Sequence, residues 1–309
     1  MIKAENLTKY YGQNLAVDNA SFEINPGEIV GFLGPNGAGK TTTMRMLTGY
    51  LLPTSGKAKV LGMDIIDDSI EIREQTGYLP EMNPVYEEMA IPEYFEFIAA
   101  IREMDKTKIE SRIREVIKIC GLKDVLHNNI NELSRGYKQR VGFASAIFHN
   151  PSVLILDEPT SGLDPNQAHD VRQLIKEFKK DKTVIISTHI LSEAKMMCDR
   201  LLIINRGKIV ADGTAKELES AYQGKEHIYL EIVSPAEDIA VVEKKIKLLK
   251  SYEDLIIKEL NTGRLGFEIE SSTDLREAVS RLCSDNKWTI IELHRQSITL
   301  EEIFRKLTT

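Results

Sequence analysis

Cysteine is scarce in this chain, and what there is has no metal-binding or disulfide pattern. Cys120, Cys198 and Cys283 are far apart, odd in number and show no Cys-x-x-Cys spacing. They leave no metal framework and fit a reducing compartment. Basic residues are also in short supply, with 40 Lys and Arg against 47 Asp and Glu, a formal charge of -7. A sequence-independent nucleic-acid binder needs a basic face, so no nucleic-acid partner is expected. Long apolar runs are missing too. No stretch approaches the ~20 apolar residues of a membrane span, and the opening MIKAENLTKYYG lacks the apolar run of a signal peptide. The expectation is a soluble, cytoplasmic chain whose membrane role must come through a partner. What is present supports a real core: 42% of residues are hydrophobic and 28% charged. The 309 residues suit one large domain and a small one, at roughly 150 residues per domain.

Along residues 1–215, short β-rich runs alternate with helical patterns. SFEI, EIVGFLG, GKAKVLG and TGYLP read as strands, and Thr41 to Leu47 opens a helix. VLILD and TVIIST are continuous apolar runs, the type expected at the centre of a parallel sheet. Ile91 to Leu122 reads as helical, and Val141, Phe143, Ala144, Ile147 and Phe148 recur at helical spacing. RLLIINRGKIVADG reads as a hairpin turning at Asn205 to Gly207. The pattern predicts an α/β domain with a mostly helical insert near residues 82–150. Beyond it, 216–227 is expected to be a linker, in which a short helix, TAKELESAY, leads to the polar QGKEH. Residues 228–309 then read β-α-β-β-α-β, a split βαβ layout that hosts many unrelated functions.

GPNGAGKTT, Gly34 to Thr42, fits G-x-x-x-x-G-K-[ST] between a strand and a helix, the context this phosphate-loop motif requires. Its glycines let backbone N–H groups curl round a phosphate. Lys40 brings a point charge to the β- and γ-phosphates, and the Thr41 hydroxyl reaches Mg²⁺. VLILDEP ends a buried strand with Asp157 and Glu158. Two carboxylates there are costly unless paired or metal-bound. Asp157 is placed on the Mg²⁺ side and Glu158 to orient an attacking water, the bland alternative being a helix N-cap. A second anion site is suggested by Ser134 and Gly136 in NELSRGYKQRV, at the start of a helix.

With these motifs, the chain resembles the ATPase subunit of an ATP-binding-cassette (ABC) transporter over roughly residues 1–215. The resemblance implies a P-loop ABC ATPase fold with a mixed sheet core and a helical subdomain. It implies that Asn36, Gly37, Ala38, Gly39, Lys40, Thr41 and Thr42 hold ATP, that Tyr11 stacks on adenine and that Val17 packs near the ribose. It places Glu81 at the loop that normally carries Gln and senses Mg²⁺, SGLD with Asp164 at the dimer contact, and His189 at the γ-phosphate. It further implies that Ser134 and Gly136 act in trans, so that two copies stack head to tail around two Mg-ATP and drive a separate permease at the inner face of the cell membrane.

Arg135 and Tyr137 replace Gly and Gln of the commonest signature, LSGGQ, and Glu81 replaces Gln. These departures resemble the bacterial branch named for gliding-motility, sodium and multidrug export. The resemblance puts the permease's coupling helix near Glu81 to Phe97, with Tyr86 and Met89 expected at the interface and Tyr94 and Phe95 in the core. The tail is expected to stabilise a dimer or dock a partner, the other reading being a regulatory ligand module. A soluble ABC ATPase of DNA repair, cohesion or translation is the rival. It would need long coiled coils or two cassettes, and the chain has one phosphate loop and no sustained heptad.

Overall fold

The computed structural model describes residues 1–178, 181–222, 226–233, 239–249, 252–261, 264–296 and 299–308. The chain divides into two compact units, Met1–Thr214 with Leu307–Thr309, and Ala215–Lys306.

The first unit holds two sheets. One is antiparallel, in the order β2-β1-β4-β5, from β1 (Ile2–Tyr11), β2 (Asn14–Ile24), β4 (Ser55–Val60) and β5 (Met63–Asp64). The other runs β10-β9-β3-β8-β7-β6, from β3 (Ile29–Leu33), β6 (Thr76–Leu79), β7 (Val153–Asp157), β8 (Thr183–Thr188), β9 (Arg200–Asn205) and β10 (Lys208–Gly213). Strands β9, β3, β8, β7 and β6 are parallel neighbours, and β10 adds an antiparallel edge through the expected hairpin. Every residue of β3, β7 and β8 is buried, as continuous apolar runs at the centre of a parallel sheet require. The hairpin turns on Arg206 and Gly207, both at positive φ. That geometry matches the right-handed twist of the strands it joins.

Helix α1 (Lys40–Leu47) follows β3, and α2 (Ser69–Gln75) precedes β6. The helical insert carries α3 (Ile91–Ile101), α4 (Lys106–Ile119) and α5 (Arg135–Ile147). Asp105 caps α4 by accepting from the Thr107 N–H at 3.0 Å, and Ser134 caps α5 by accepting from the Tyr137 N–H at 3.4 Å. The apolar stripe of α5 goes inward: Val141, Phe143, Ala144, Ile147 and Phe148 are buried in one cluster with Tyr94 and Phe95 of α3. Burial of each Val, Ile or Phe side chain among them contributes about 1.5–3 kcal/mol. Helix α6 (Pro165–Phe178) follows β7, and α7 (Leu191–Met197) follows β8.

Strand β1 has no counterpart in the sequence reading. Its pairing with β2 shifts register three times, and Asn6 sits at φ 50°. Each shift breaks the alternation by which a strand is recognised.

The second unit opens with α8 (Ala215–Tyr222) and continues with β11 (Glu226–Val233), α9 (Ile239–Ile246), β12 (Tyr252–Asn261), β13 (Arg264–Ser271), α10 (Arg276–Asp285), β14 (Thr289–Gln296) and α11 (Leu300–Thr308). Its sheet is antiparallel throughout, in the order β12-β13-β11-β14. Val242 of α9 and Val279 of α10 are buried in one core with Ile228, Leu230 and Phe267 of the sheet. This is the ferredoxin-like α+β layout. Helix α8 falls on TAKELESAY, read as a short helix ahead of the polar QGKEH, and β11 begins at Glu226 within that polar run. Residues 223–225 of the expected linker and residues 262–263 of the NTG turn lie outside the described residues.

All three cysteines are free thiols. Burial pushes Cys120 and Cys198 up to about 12, so neither is a thiolate near neutrality. His149, just past α5, is pushed down to about 3, first by burial and then by the Arg102 charge. Its folded value lies below the ordinary 6.5, so between about pH 3 and 6.5 only the unfolded chain takes the proton. Stability therefore rises with pH across that window, by at most about 1.4 kcal/mol per pH unit. Urea midpoints measured across it should show this slope in the parent protein and a flatter one in His149→Gln.

Candidate functional site

The loop between β3 and α1 is forced into its curl by backbone geometry. Gly37 and Gly39 stand at φ 80° and 107°, which side chains of L-residues rarely adopt. A Cβ on Gly39 would lie 2.5 Å from the Ala16 carbonyl oxygen, and one on Gly34 would lie 2.4 Å from that of Ile204. The curl folds Lys40 back under its own loop, where the residue is 6% exposed. Its Nζ donates to the carbonyls of Gly34 at 2.8 Å and Pro35 at 3.3 Å, and lies 3.5 Å from Glu158 Oε1.

The end of β7 delivers the two carboxylates to the same place. Asp157 Oδ1 accepts from the Ser187 hydroxyl of β8, and Oδ2 is buried without a partner. Glu158 stands at φ 49°, a strained conformation for a residue with a side chain. It is held there because its N–H donates to both the carbonyl and the hydroxyl oxygen of Ser187, at 3.1 and 3.0 Å. His189, one residue past β8, places Nδ1 3.0 Å from both Glu158 carboxylate oxygens. A carboxylate only accepts, so the Nδ1 proton points at Glu158.

Together these elements wall a cleft of about 490 Å³, lined among others by Tyr11, Asn36, Thr41, Thr42, Glu81 and His189. Tyr11 ends β1 and is 46% exposed, with Lys9 Nζ 5.6 Å from its ring centroid. Such a ring can stack on a flat base. The arrangement can neutralise a polyphosphate with Lys40 and loop N–H groups, and can polarise a water with Glu158. No group of three His, Cys, Asp or Glu poised for a metal occurs among the described residues. Of the expected metal-side residues, Thr41 and Glu81 line the cleft, while Asp157 is fully buried and does not; all three offer oxygen donors only. That fits a Mg²⁺ ion, which completes its shell with water and substrate phosphates.

Two expected residues are placed differently. Val17 is fully buried in the core and does not line the cleft, whereas its neighbour Ala16 does. Successive strand residues face opposite sides, so an offset of one residue exchanges core for cleft. The Ala38 side chain is buried as well, so only its backbone is left to serve the loop. Asn14 and Ser187 belong to the site without having been singled out, and Ser161, the first residue of the SGLD stretch expected at the dimer contact, lines the cleft. Ser187 could have been found as the polar residue near the end of TVIIST, an otherwise apolar strand.

Three more expected residues, Ser134, Gly136 and Asp164, line no part of this cleft. Ser134 is exposed at the start of α5. Gly136 is buried, and a Cβ there would lie 2.5 Å from the Gln167 side chain. Asp164 caps α6, accepting from the N–H groups of Asn166 at 3.0 Å and Gln167 at 2.9 Å. The Arg135 guanidinium covers the Gly162 backbone, where a Cβ would meet it at 2.1 Å. Tyr94 and Phe95 are core, Tyr86 is exposed with its ring 4.9 Å from that of Phe97, and Met89 packs partly buried against the core.

A family model described as ABC transporter matches residues 17–161. An uncharacterized ABC transporter ATP-binding protein of Bacillus subtilis, YxlF, is 35% identical over 309 residues, 99% of each chain. The chain belongs to the ABC transporter ATP-binding family. The bacitracin transport ATP-binding protein BcrA of Bacillus licheniformis is 33% identical over 99% of this chain and 97% of its own. Among solved structures, a dimeric ATP-binding cassette in a post-hydrolysis state with ADP and Pi superposes with a TM-score of 0.64 and 26% identity. It covers 69% of this chain and 98% of its own. The ABC subunit described here is thus an ATP-binding ATPase.

Removing the buried ammonium should cost nucleotide binding directly. Lys40→Ala is expected to weaken ATP affinity roughly ten- to hundredfold, the worth of a lost hydrogen bond to a charged group. Titration with a fluorescent ATP analogue checks this, and unchanged affinity would contradict the phosphate-loop assignment.

Proposed function

We propose that this chain is the ATP-hydrolysing subunit of a membrane exporter, working as a head-to-tail pair of identical copies that drive a separate permease from the cytoplasmic face. The observation that carries the reading is the division of the site. Lys40, Glu158 and His189 face one cleft, while Ser134 and Gly136 stand outside it on α5. At this helix start Lys138 is paired with Glu87 and the Arg135 guanidinium lies over Gly162, so the hydroxyl and N–H groups left can close on a phosphate held elsewhere rather than capture one alone. Each copy therefore finishes the other's pocket, and ATP is the material between them.

In the reaction, Lys40 leaves Glu158 for the β- and γ-phosphates, and Tyr11 stacks on the adenine. Glu158 then orients a water whose oxygen bonds to the γ-phosphorus as the bond to the bridging oxygen breaks, giving ADP and phosphate. His189 holds Glu158 beforehand and reaches the γ-phosphate in the closed pair. Thr41, Asp157 and Glu81 would hold Mg²⁺, which neutralises phosphate charge when bound. Loss of the shared γ-phosphate removes the link between the copies and they part.

Export is favoured by the bacitracin transport relative and by the signature and Glu81 departures, which resemble the gliding-motility, sodium and multidrug branch. No helix among the described residues is long and apolar enough to cross a membrane, in keeping with a permease on a separate chain.

Glu158→Gln keeps the phosphate contacts but polarises water poorly, so turnover should fall by about 10²–10⁴ while ATP-bound dimers accumulate. Ser134→Arg should still bind ATP as a monomer yet form no dimer in light scattering. Isolated protomers of Glu158→Gln at saturating ATP would sink the pairing.

A further inference from the structure

Lys9 and Tyr11 stand two residues apart on β1, so their side chains share one face of the strand, and Tyr10 between them faces the other way. Tyr11 lines the nucleotide cleft, whereas Lys9 and Tyr10 do not. The Lys9 ammonium nevertheless lies over the Tyr11 ring, 5.6 Å from its centroid and inside the ~6 Å at which a cation is drawn to an aromatic face. The cation therefore stands behind the ring as seen from the cleft.

Tyr11 has little else to hold it. It ends β1 and pairs with Asn14 across the turn Gly12–Gln13, with Gly12 at φ 58°. The residue is 46% exposed. Among the described residues its ring meets no other aromatic ring, and its hydroxyl has no hydrogen bond. A ring left unpacked at the end of a hairpin samples rotamers that a bound base would have to freeze out.

Lys9, by contrast, is tethered. Its Nζ donates to the Leu52 carbonyl at 2.7 Å. That carbonyl belongs to the segment between α1 and β4, which is pinned at both ends. The N–H groups of Tyr50 and Leu51 donate to the Arg45 carbonyl in the last turn of α1, each at 3.0 Å. Thr54 donates its N–H to the Thr8 carbonyl at 2.8 Å, and its hydroxyl accepts from the Tyr10 N–H at 3.0 Å. Helix α1 starts at Lys40. The helix that carries the phosphate-loop lysine at its head therefore fixes, at its tail, the segment that holds Lys9.

Lys9 has no carboxylate within ion-pair distance among the described residues, so its charge is not neutralised by an acid. The ring is where that charge acts. A cation over one face of a ring draws π density toward itself and leaves the opposite face a better platform for an electron-rich purine. The neighbouring tyrosine supplies the contrast. Tyr10 is exposed to the same degree, yet among the described residues no cation lies over its ring and it lines no part of the cleft.

We propose that Lys9 is a positioning residue for the nucleotide: tethered to Leu52, its ammonium holds the Tyr11 ring at the cleft wall and polarises it, so that the adenine meets a preformed stacking surface. This rests on the reading of Tyr11 as the adenine platform. It adds how a ring at the end of a hairpin is kept in place, and it ties the base end of the site to the phosphate end through α1.

The test titrates the full chain with ADP by isothermal calorimetry, because ADP has no γ-phosphate through which copies could pair. Lys9→Met should weaken ADP binding about two- to fivefold, the worth of an exposed cation–π contact. Lys9→Arg, which keeps a cation over the ring, should bind as the parent does. In a Tyr11→Leu background Lys9→Met should cost nothing further, the signature of a role exerted through the ring. In steady-state hydrolysis the change should fall on KM rather than kcat. Tyr10→Leu, on the other face of the strand, is the control and should keep the parent's affinity. Parent-like binding by Lys9→Met, failure of Arg to restore it, or the same loss with and without the Tyr11 ring would overturn the positioning role. Parent-like binding by Tyr11→Leu is read separately: it would bring down the platform reading itself, and the role of Lys9 with it.

Discussion

A lysine ammonium kept almost wholly inside the protein organises the nucleotide end of this molecule. Left alone, a buried charge would cost several kcal/mol. Lys40 avoids that by taking two carbonyls of its own loop and the Glu158 carboxylate. To bring the carbonyls round, the loop needs left-handed turns at Gly37 and Gly39. To fit beneath β2 and β9, it can carry no Cβ at Gly39 or Gly34. The glycine pattern is thus the steric consequence of where one cation sits.

The same economy explains the far wall. Ser187 holds both Asp157 and the Glu158 backbone, fixing a carboxylate residue at positive φ. Strain of about 1–3 kcal/mol at such a position persists only where the surroundings over-determine it. Here two central strands and three hydrogen bonds do so. The second Asp157 oxygen, Oδ2, is left buried without a partner.

Legibility in the sequence followed the physics of each element. The central strands β7 and β8 and the helix α5 were readable because burial on all sides, or on one stripe, leaves an uninterrupted apolar signature. Lys40 was readable from the glycine-spaced loop that ends at α1, Glu158 from its place just past β7, and His189 through the family resemblance. Strand β1 escaped, since its register shifts scramble the alternation on which recognition depends. Val17 was placed on the wrong side by a single residue, the smallest possible offset in a structure with a period of two.

Ser134 carries one more consequence. A hydroxyl has a single hydrogen and two lone pairs, and as the cap of α5 it uses only a lone pair, on the Tyr137 N–H. The hydrogen remains to be given away. An incoming oxyanion can accept it while the cap stays intact, so α5 need not fray or re-form at each engagement. In the proposed pair, such a contact would be cheap to make and to release, because the helix it stands on is not remade each time.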